Sequence, residues 1–171
     1  MKLLKIFVLT ILLNYFFLSF SNSEIIKQIK VEGNNRITDE IILMFSDIDL
    51  GQDIKSSKIN KIIKNLYETN FFNDVSVTLE NNLILITVDE APLIENIVIS
   101  GIKAKKNKKL ITNNFILKRR SSFNDFQLLQ EVNSIESTLK SLGYYFAKVE
   151  PFIETLDNNM VNIEYKIDLG K

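Results

Sequence analysis

The chain contains neither histidine nor cysteine, which removes much of the usual side-chain chemistry of enzymes from its 171 residues. Thiol nucleophiles, disulfides, histidine-based triads and zinc sites with the usual ligands are all excluded. Catalysis would depend on carboxylates, Lys, Tyr or Ser. Asp89 and Glu90 are the adjacent acidic pair on a predicted strand, but neighbours on a strand point to opposite faces. We therefore predict a protein that is not an enzyme and has no cofactor, with a carboxylate-only hydrolase as the weakest alternative.

Three aspartates alternate with other residues across residues 47–53, a spacing that resembles the start of a calcium-binding loop. An EF-hand loop needs Gly at its sixth position and Glu at its twelfth. Counted from Asp47, these positions are Gln52 and Lys58. The pattern therefore predicts a polar loop between two helices and no metal site.

Basic and acidic residues are balanced at 21 each, so no overall charge favours nucleic acid. One stretch of the second half is basic, and it lacks the interleaved aromatic residues typical of RNA binding. It is either a solvated helix face or a contact for an anionic partner, such as lipid headgroups or an acidic protein. Its residues are Lys103, Lys105, Lys106, Lys108, Lys109, Lys118, Arg119 and Arg120.

The remaining candidate site is the exposed edge of a sheet. Two segments alternate apolar and polar residues, as strands at the margin of a sheet do. An unpaired edge can accept an extended segment of another protein by β-augmentation. Alternatively, both edges face water or a neighbouring domain. The alternating residues are Val75, Val77 and Leu79 within residues 75–80, and Tyr145, Ala147 and Val149 within residues 145–153, where Pro151 is expected to limit pairing.

Each of these segments follows a predicted amphipathic helix and a left-handed helix cap. The first helix ends before Asn70 and the second before Gly143, residue types that tolerate the left-handed conformation. The aromatic residues around the two corners are interpreted as core: Phe71, Phe72, Tyr144, Tyr145 and Phe146. The helical stripes are Ile59, Ile62, Ile63, Leu66 and Tyr67 in one copy, and Leu128, Val132, Ile135, Leu139 and Leu142 in the other.

The duplication extends over the chain after residue 23. An Ile-x-x-Ile-x-Val/Ile-x-Gly pattern ending at Gly33 recurs at Gly101, an offset of 68 residues (101 minus 33). Both copies predict the order strand, helix, helix, strand, strand. We assign unit one to residues 24–92 and unit two to residues 93–171. The doubly apolar segment Leu83–Val88 is predicted to be a central strand.

Residues 1–23 have the pattern of an export signal. Lys2 and Lys5 precede an apolar stretch that is shorter than the roughly 20 residues of a membrane span. Small residues follow at Ser19, Ser21 and Ser23, although Ala-x-Ala is absent. A cleaved signal is therefore favoured over an uncleaved membrane anchor.

Together these segments resemble a POTRA tandem, the periplasmic repeat of the outer-membrane protein assembly factor (BamA) family. The resemblance covers residues 25–170, and Asn70 stands where the family more often has Gly. It depends on Ile29-x-Val31-x-Gly33-Asn34, Gly51 between the helices, Ile59, Leu66-Tyr67-x-x-Asn70-x-Phe72-x-x-Val75, Val88-x-Glu90-x-Pro92-x-Ile94 and Ile97-x-Ile99-x-Gly101.

The resemblance implies an α+β fold of two β-α-α-β-β domains, each a three-stranded mixed sheet covered by a helix pair. It also implies a non-enzymatic role in inserting β-barrel proteins, at the periplasmic face of the outer membrane of a Gram-negative bacterium. The implied partners are unfolded outer-membrane protein precursors, accessory lipoproteins and the remainder of a β-barrel protein, of which this chain is expected to be a part. The alternative is a POTRA-bearing scaffold of a two-partner or TamA-like translocation system or of cell division.

Overall fold

A computed structural model describes residues 24–170 of the chain. The predicted export signal, residues 1–23, lies outside the described residues, as does Lys171. The first half contains β1 (Glu24–Ile25), β2 (Gln28–Glu32), α1 (Asp39–Ser46), β3 (Asp53–Ile54), α2 (Ser56–Glu68), β4 (Phe72–Glu80) and β5 (Leu83–Glu90). The second half contains β6 (Leu93–Ser100), α3 (Lys105–Thr112), α4 (Asp125–Ser141), β7 (Lys148–Leu156) and β8 (Met160–Asp168).

Two separate three-stranded sheets, in the orders β2-β5-β4 and β6-β8-β7, form the two units. In each sheet the central strand is parallel to the first strand and antiparallel to the strand that precedes it. The predicted fold class, α+β with two mixed sheets and helix pairs, is therefore confirmed. The prediction of a central strand at β5 is also confirmed, because β5 pairs on both sides.

The core of unit one lies between its sheet and the helix pair. Ile62 and Leu66 of α2 are fully buried, as the helical stripe predicts. The helix ends because Asn70 adopts the predicted left-handed conformation, with φ of 57°. The buried apolar residues are Ile26, Ile37, Ile42, Ile48, Ile54, Ile62, Leu66, Phe72, Val75, Ile84, Ile86 and Val88.

The core of unit two repeats this plan, with α4 supplying Leu128, Ile135 and Leu139. The sequence predicts the first helix of this unit over residues 105–117, whereas α3 ends at Thr112. Two asparagines follow at residues 113 and 114, and asparagine favours turns over helix. The sequence offers Ser121 or Ser122 ahead of the second helix, but the helix begins after Asn124, whose side chain accepts a hydrogen bond from Gln127 N at 3.0 Å.

A small additional sheet in unit one was not predicted. Strand β1 pairs antiparallel with β3, in the loop between the two helices. The amide of Ile26 donates to Gln52 O at 3.0 Å, and Gly51 N donates to Ile26 O at 2.8 Å. These bonds attach the inter-helix loop to the start of the unit. The two-residue strands β1 and β3 therefore depend on tertiary contact rather than on local sequence.

Backbone hydrogen bonds cross the short junction between the units. Pro92 O accepts from Phe123 N at 2.7 Å, and Leu93 N donates to Asn159 O at 2.9 Å. The Asn159 side chain also donates through Nδ2 to Glu90 O at 2.7 Å. The last strand of unit one is therefore connected to the β7–β8 turn of unit two. Over residues 24–170, no helix has both the length and the apolar character that crossing a bilayer requires.

Candidate functional site

The outer margin of the first sheet is β4, and its hairpin with β5 determines which backbone groups face outward. Asn81 and Asn82 form the turn with φ of 51° and 66°, as in a type I′ turn. Glu80 and Leu83 flank this turn and stand opposite each other. They therefore form a hydrogen-bonded pair, and every second residue along β4 from Glu80 is bonded to β5 in the same way.

Val75, Val77 and Leu79 occupy the alternate positions of β4, so their N–H and C=O groups point away from β5. Their side chains lie on the helix-covered face, with Val75 buried and the other two partly buried. Within residues 24–170, no hydrogen bond from elsewhere in the chain reaches the outward backbone groups of Val77 or Leu79. These two residues therefore offer unpaired backbone groups at a sheet margin.

The backbone N–H of Val75 is not free, because the hydroxyl of Tyr67 accepts its hydrogen bond at 3.2 Å. The same hydroxyl donates to Asp74 Oδ1 at 2.9 Å. The hydrogen bond to Asp74 raises the pKa of Tyr67, with burial as a smaller cause. Sequence reasoning placed Tyr67 only on the apolar stripe of α2 and missed this contact, for which the sequence carries no signal.

The margin of the second sheet is β7, which is closed at its first outward position and interrupted at its second. Val149 N donates outward to Glu136 Oε1 of α4 at 3.3 Å, so Val149 and every second residue after it face away from β8. Pro151 is the next such residue and has no N–H to offer. Ile153 and Thr155 follow with outward-facing groups. The expectation that Pro151 limits pairing at this edge agrees with its outward position.

The predicted edge segment of unit two began too early. Strand β7 starts at Lys148, whereas Tyr145 lies in a turn and Ala147 is buried just before the strand. The interpretation of the corner aromatics as core is wrong for Tyr145 and Phe146, which are 72% and 75% exposed. Four residues separate Gly143 from β7 here, whereas one residue separates Asn70 from β4 in unit one. Tyr145 and Phe146 lie in this longer connection, outside the strand.

The opposite margin of the second sheet, β6, is covered by other parts of the unit. Ile94 exchanges backbone hydrogen bonds with residues 120–121, at 2.7 and 3.0 Å. Arg119 Nε donates to Glu95 O at 2.8 Å, and Lys108 Nζ donates to Ile99 O at 2.8 Å. The nine-residue strand β4 is closed by a side chain at only one outward position, Val75.

Comparison with known proteins agrees with this architecture. A family model described as "POTRA: Surface antigen variable number repeat" matches residues 24–91 and again residues 92–170. The chain belongs to the POTRA family. The tandem of POTRA units predicted from the sequence is therefore confirmed.

Curated relatives of this POTRA chain are named "Outer membrane protein assembly factor BamA". The protein from Neisseria meningitidis serogroup B is 31% identical over 148 residues, which are 85% of this chain and 19% of the relative. That from Nitratidesulfovibrio vulgaris is 30% identical over 139 residues, 79% of this chain and 17% of the relative. The POTRA tandem is thus of the BamA family, and the chain spans about a fifth of the length of these relatives.

Solved POTRA structures share the fold. The N-terminal domain of Omp85 from Thermosynechococcus elongatus has a TM-score of 0.59 at 14% identity, covering 88% of this chain and 64% of that chain. POTRA1-2 of the periplasmic domain of Omp85 from Anabaena has a TM-score of 0.53 at 14% identity, covering 87% of this chain and 96% of that chain.

The basic residues of the second POTRA unit serve different purposes. Lys108 and Arg119 cover the β6 margin, and Arg119 also pairs with Glu95 Oε1 at 2.8 Å. Lys105, Lys106 and Lys109 are exposed on α3. Arg120 lines a cleft of about 350 Å³ between the units, together with Arg36 of the first unit. The single anionic contact face predicted from the sequence is therefore divided, and only the α3 lysines remain as a simple exposed group.

The aspartate-rich loop of the first POTRA unit carries ion pairs. Asp47 Oδ2 lies 3.1 Å from both Lys58 Nζ and Lys61 Nζ. Hydrogen bonds from Lys61 and Lys58 lower the pKa of Asp47. Among the described residues, no group of three or more acidic side chains is arranged to hold a metal ion. The polar inter-helix loop interpretation agrees with these contacts.

The second POTRA unit buries one carboxylate, which sequence reasoning missed. Glu131 of α4 is 1% exposed, and its Oε2 accepts a hydrogen bond from Leu117 N at 3.0 Å. Burial raises the pKa of Glu131, and the bond from Leu117 opposes that shift. Burial also raises the pKa of the neighbouring phenol, Tyr165, with the charge of Glu131 as a second cause. Because Glu131 falls on the helical stripe among apolar residues, its position between Leu128 and Ile135 was the available signal.

Glu131→Gln is expected to change how the stability of the second unit depends on pH. A carboxyl whose folded pKa is raised favours folding below its ordinary value of 4.5. That contribution is lost as the pH rises from this value through the raised pKa, by at most about 1.4 kcal/mol per pH unit. The amide introduced by the substitution cannot ionise and still offers an oxygen to Leu117 N.

The measurement is urea unfolding of both proteins from pH 4.5 to 8. The variant should gain stability relative to the native chain as the pH rises. Glu150→Gln, which changes an exposed carboxylate of β7, controls for the loss of one charge. A stability difference between variant and native chain that stays constant over this pH range would contradict the expected role of Glu131.

Proposed function

We propose that the first POTRA unit binds extended segments of unfolded outer-membrane protein precursors, which add as a fourth strand beside β4. The observation that carries this proposal is the pair of outward-facing, unpaired backbone positions at Val77 and Leu79. The names of the curated relatives, outer membrane protein assembly factors, support precursors of outer-membrane proteins as the bound class.

Strand addition suits a protein that must accept many sequences. Backbone N–H and C=O groups are the same in every client, and each hydrogen bond contributes about 0.5–1.5 kcal/mol. The four outward groups of Val77 and Leu79 together therefore provide roughly 4 kcal/mol, so backbone pairing alone gives a dissociation constant no tighter than about 1 mM. Binding of this strength is transient, so a captured segment can be passed on.

The proposal is one of binding without catalysis. In it the chain is exported by residues 1–23 and works at the periplasmic face of the outer membrane. Accessory assembly lipoproteins and the remainder of a β-barrel protein complete the machinery, as the BamA relatives support. The second unit, whose β7 margin is interrupted by Pro151, then contributes less to capture than the first.

Val77→Pro is expected to weaken capture while leaving the fold intact. The N–H of Val77 points away from β5, so proline removes one outward donor without breaking the β4–β5 ladder. Pro151 already occupies an outward-facing position of β7 in the native chain. The measurement is an NMR titration with an unfolded barrel-strand peptide. In the native protein the peptide should shift the amide signals of residues 77–80, and in the variant the remaining shifts should need about fivefold more peptide.

Thr155→Pro is the matched control, because Thr155 occupies an outward-facing position of β7 and is exposed. It should leave the peptide-induced shifts at β4 unchanged. Equal peptide affinities of Val77→Pro and the native protein would contradict capture at this margin. Shifts confined to residues 105–120 would show instead that the peptide binds the basic face of α3.

A further inference from the structure

The proposed capture site ends in an unusual way at Val75. Val75 is the first outward-facing position of β4 in the regular ladder, since the register shifts between Phe72 and Asp74. Its N–H is the one outward donor among Val75, Val77 and Leu79 that a side chain occupies. A segment adding to β4 would have to displace that side chain before it could pair at Val75.

The side chain that occupies this donor is held from both directions. Tyr67 belongs to the last turn of α2, which ends at Glu68. Moving its side chain away from β4 would break two hydrogen bonds of the hydroxyl. The hydroxyl accepts from Val75 N at 3.2 Å and donates to Asp74 Oδ1 at 2.9 Å. A hydrogen bond to a charged acceptor is stronger than one between neutral groups, so the bond to Asp74 keeps the hydroxyl in place over the strand.

The second unit closes the equivalent position with different chemistry. Val149 is likewise the first outward donor of its margin strand, and Glu136 from the preceding long helix accepts its bond. A phenol does this in one unit and a carboxylate in the other. Edge strands that are not blunted in some way invite uncontrolled pairing. Both units therefore close the first outward-facing N–H of the margin strand, and they use different side chains to do so.

We propose that the Tyr67 hydroxyl, held by Asp74, ends the pairing register of β4, so that a captured segment pairs with Val77 and Leu79 and does not extend to Val75. This inference rests on the proposed capture at β4 and names its selectivity. The segment that fits is a short extended stretch that leaves the sheet plane or ends before it reaches the corner formed by α2 and β4. A longer segment forms backbone hydrogen bonds only with residues 77–80 of β4.

The alternative is that Tyr67 merely fastens the helix to the strand. In that case the hydroxyl would affect stability and not the length of the paired segment. Tyr67→Phe separates the two, because phenylalanine keeps the ring and removes only the oxygen that binds Val75 and Asp74. Tyr145→Phe is the matched control, since Tyr145 is 72% exposed and lies in a turn of the second unit.

The test measures amide hydrogen exchange in the full chain, with and without a peptide of about ten alternating valine and threonine residues. At about 3.4 Å per residue, this peptide is long enough to span Val75 to Glu80. In the native protein and in Tyr145→Phe, the peptide should slow exchange at Val77 and Leu79 and leave Val75 unchanged. In Tyr67→Phe, Val75 should exchange fast without peptide and become protected with it. One additional backbone bond should tighten binding about three- to tenfold.

Each outcome decides between the proposals. Peptide protection at Val77 and Leu79 in both proteins, with no protection at Val75 in Tyr67→Phe, would overturn the register stop and keep the capture site. Absence of protection at Val77 and Leu79 in every protein would overturn capture itself. Thermal unfolding of Tyr67→Phe measures the fastening effect separately, and a lower melting temperature without a change at Val75 would support simple fastening.

Discussion

Glu90→Ala is expected to destabilise the first POTRA unit severely. Glu90 is 5% exposed at the end of β5, and its Oε1 accepts three backbone hydrogen bonds from the loop after β2. The donors are the amides of Asn35 at 2.9 Å, Arg36 at 2.9 Å and Ile37 at 2.8 Å. Oε2 lies 3.7 Å from Arg36 Nε. One carboxylate therefore organises the whole turn that leads into α1.

Removing the carboxylate leaves three amide donors without their acceptor. An unsatisfied buried donor costs about 1–3 kcal/mol, and solvent can reach the donors of the exposed Asn35 and Arg36. We expect a total loss of about 3 kcal/mol. Native domains have about 0.05–0.15 kcal/mol of stability per residue, so this is a large share of what a unit of about 70 residues possesses.

Asp89→Ala is the control, because Asp89 is the adjacent carboxylate and is exposed on the opposite face. Its loss should cost less than about 0.5 kcal/mol. Urea unfolding monitored at residues of each unit by NMR distinguishes the two units. Equal midpoints for Glu90→Ala and Asp89→Ala would show that the turn does not depend on Glu90. The sequence argues against Asp89 and Glu90 as an acid and base pair, because neighbours on a strand point to opposite faces. In the structure Glu90 is buried and Asp89 is exposed on the other face.

The order of elements and the position of the central strand could be predicted because both depend on local periodicity. The stripe of α2 and the left-handed Asn70 are each encoded within about ten residues of sequence. The doubly apolar run of β5 marks a strand with neighbours on both sides, which leaves β4 at the margin. The extent of α3 was predicted less well, because the apolar residues after Thr112 pack without continuing the helix.

The closure of the sheet margins could not be predicted from periodicity. Tyr67 and Val75 are eight residues apart, Glu136 and Val149 thirteen, and Lys108 and Ile99 nine. Each contact exists because a helix or loop lies against the strand at a particular distance, which the spacing of residue types does not encode. The same reason applies to Glu90, whose three donors are 53 to 55 residues away in sequence. Predictions of an open edge from alternation alone therefore overstate how much of the edge is free.

Gly101→Ala is expected to prevent the second POTRA unit from reaching its native structure. Gly101 follows β6 with φ of 84°, a left-handed conformation that other residues adopt at a cost. A Cβ there would lie 1.8 Å from the carbonyl oxygen of Ile167 on the central strand and 2.8 Å from its carbonyl carbon. Both atoms are backbone, so the chain can remove the overlap only by separating the edge strand from the central strand.

The first unit has the same arrangement, which makes the requirement a property of the fold. Gly33 follows β2 with φ of 87°, and a Cβ would lie 2.1 Å from Val88 O of the central strand β5. In each unit the chain leaves the parallel edge strand by passing close to a carbonyl of the central strand. The Gly that ends the repeated Ile-x-x-Ile-x-Val/Ile-x-Gly pattern is there because no side chain fits at that crossing.

Gly143→Ala is the control that separates strain from overlap. Gly143 has φ of 95°, and no atom lies within 4 Å of where its Cβ would be. It should cost about 1 kcal/mol, the usual penalty for a left-handed residue that is not glycine. Gly101→Ala should cost more than about 3 kcal/mol and lose the native amide pattern of residues 93–170 at temperatures where Gly143→Ala remains folded. Similar unfolding midpoints for the two variants would mean that the close approach of Gly101 to Ile167 is not what requires glycine at the end of β6.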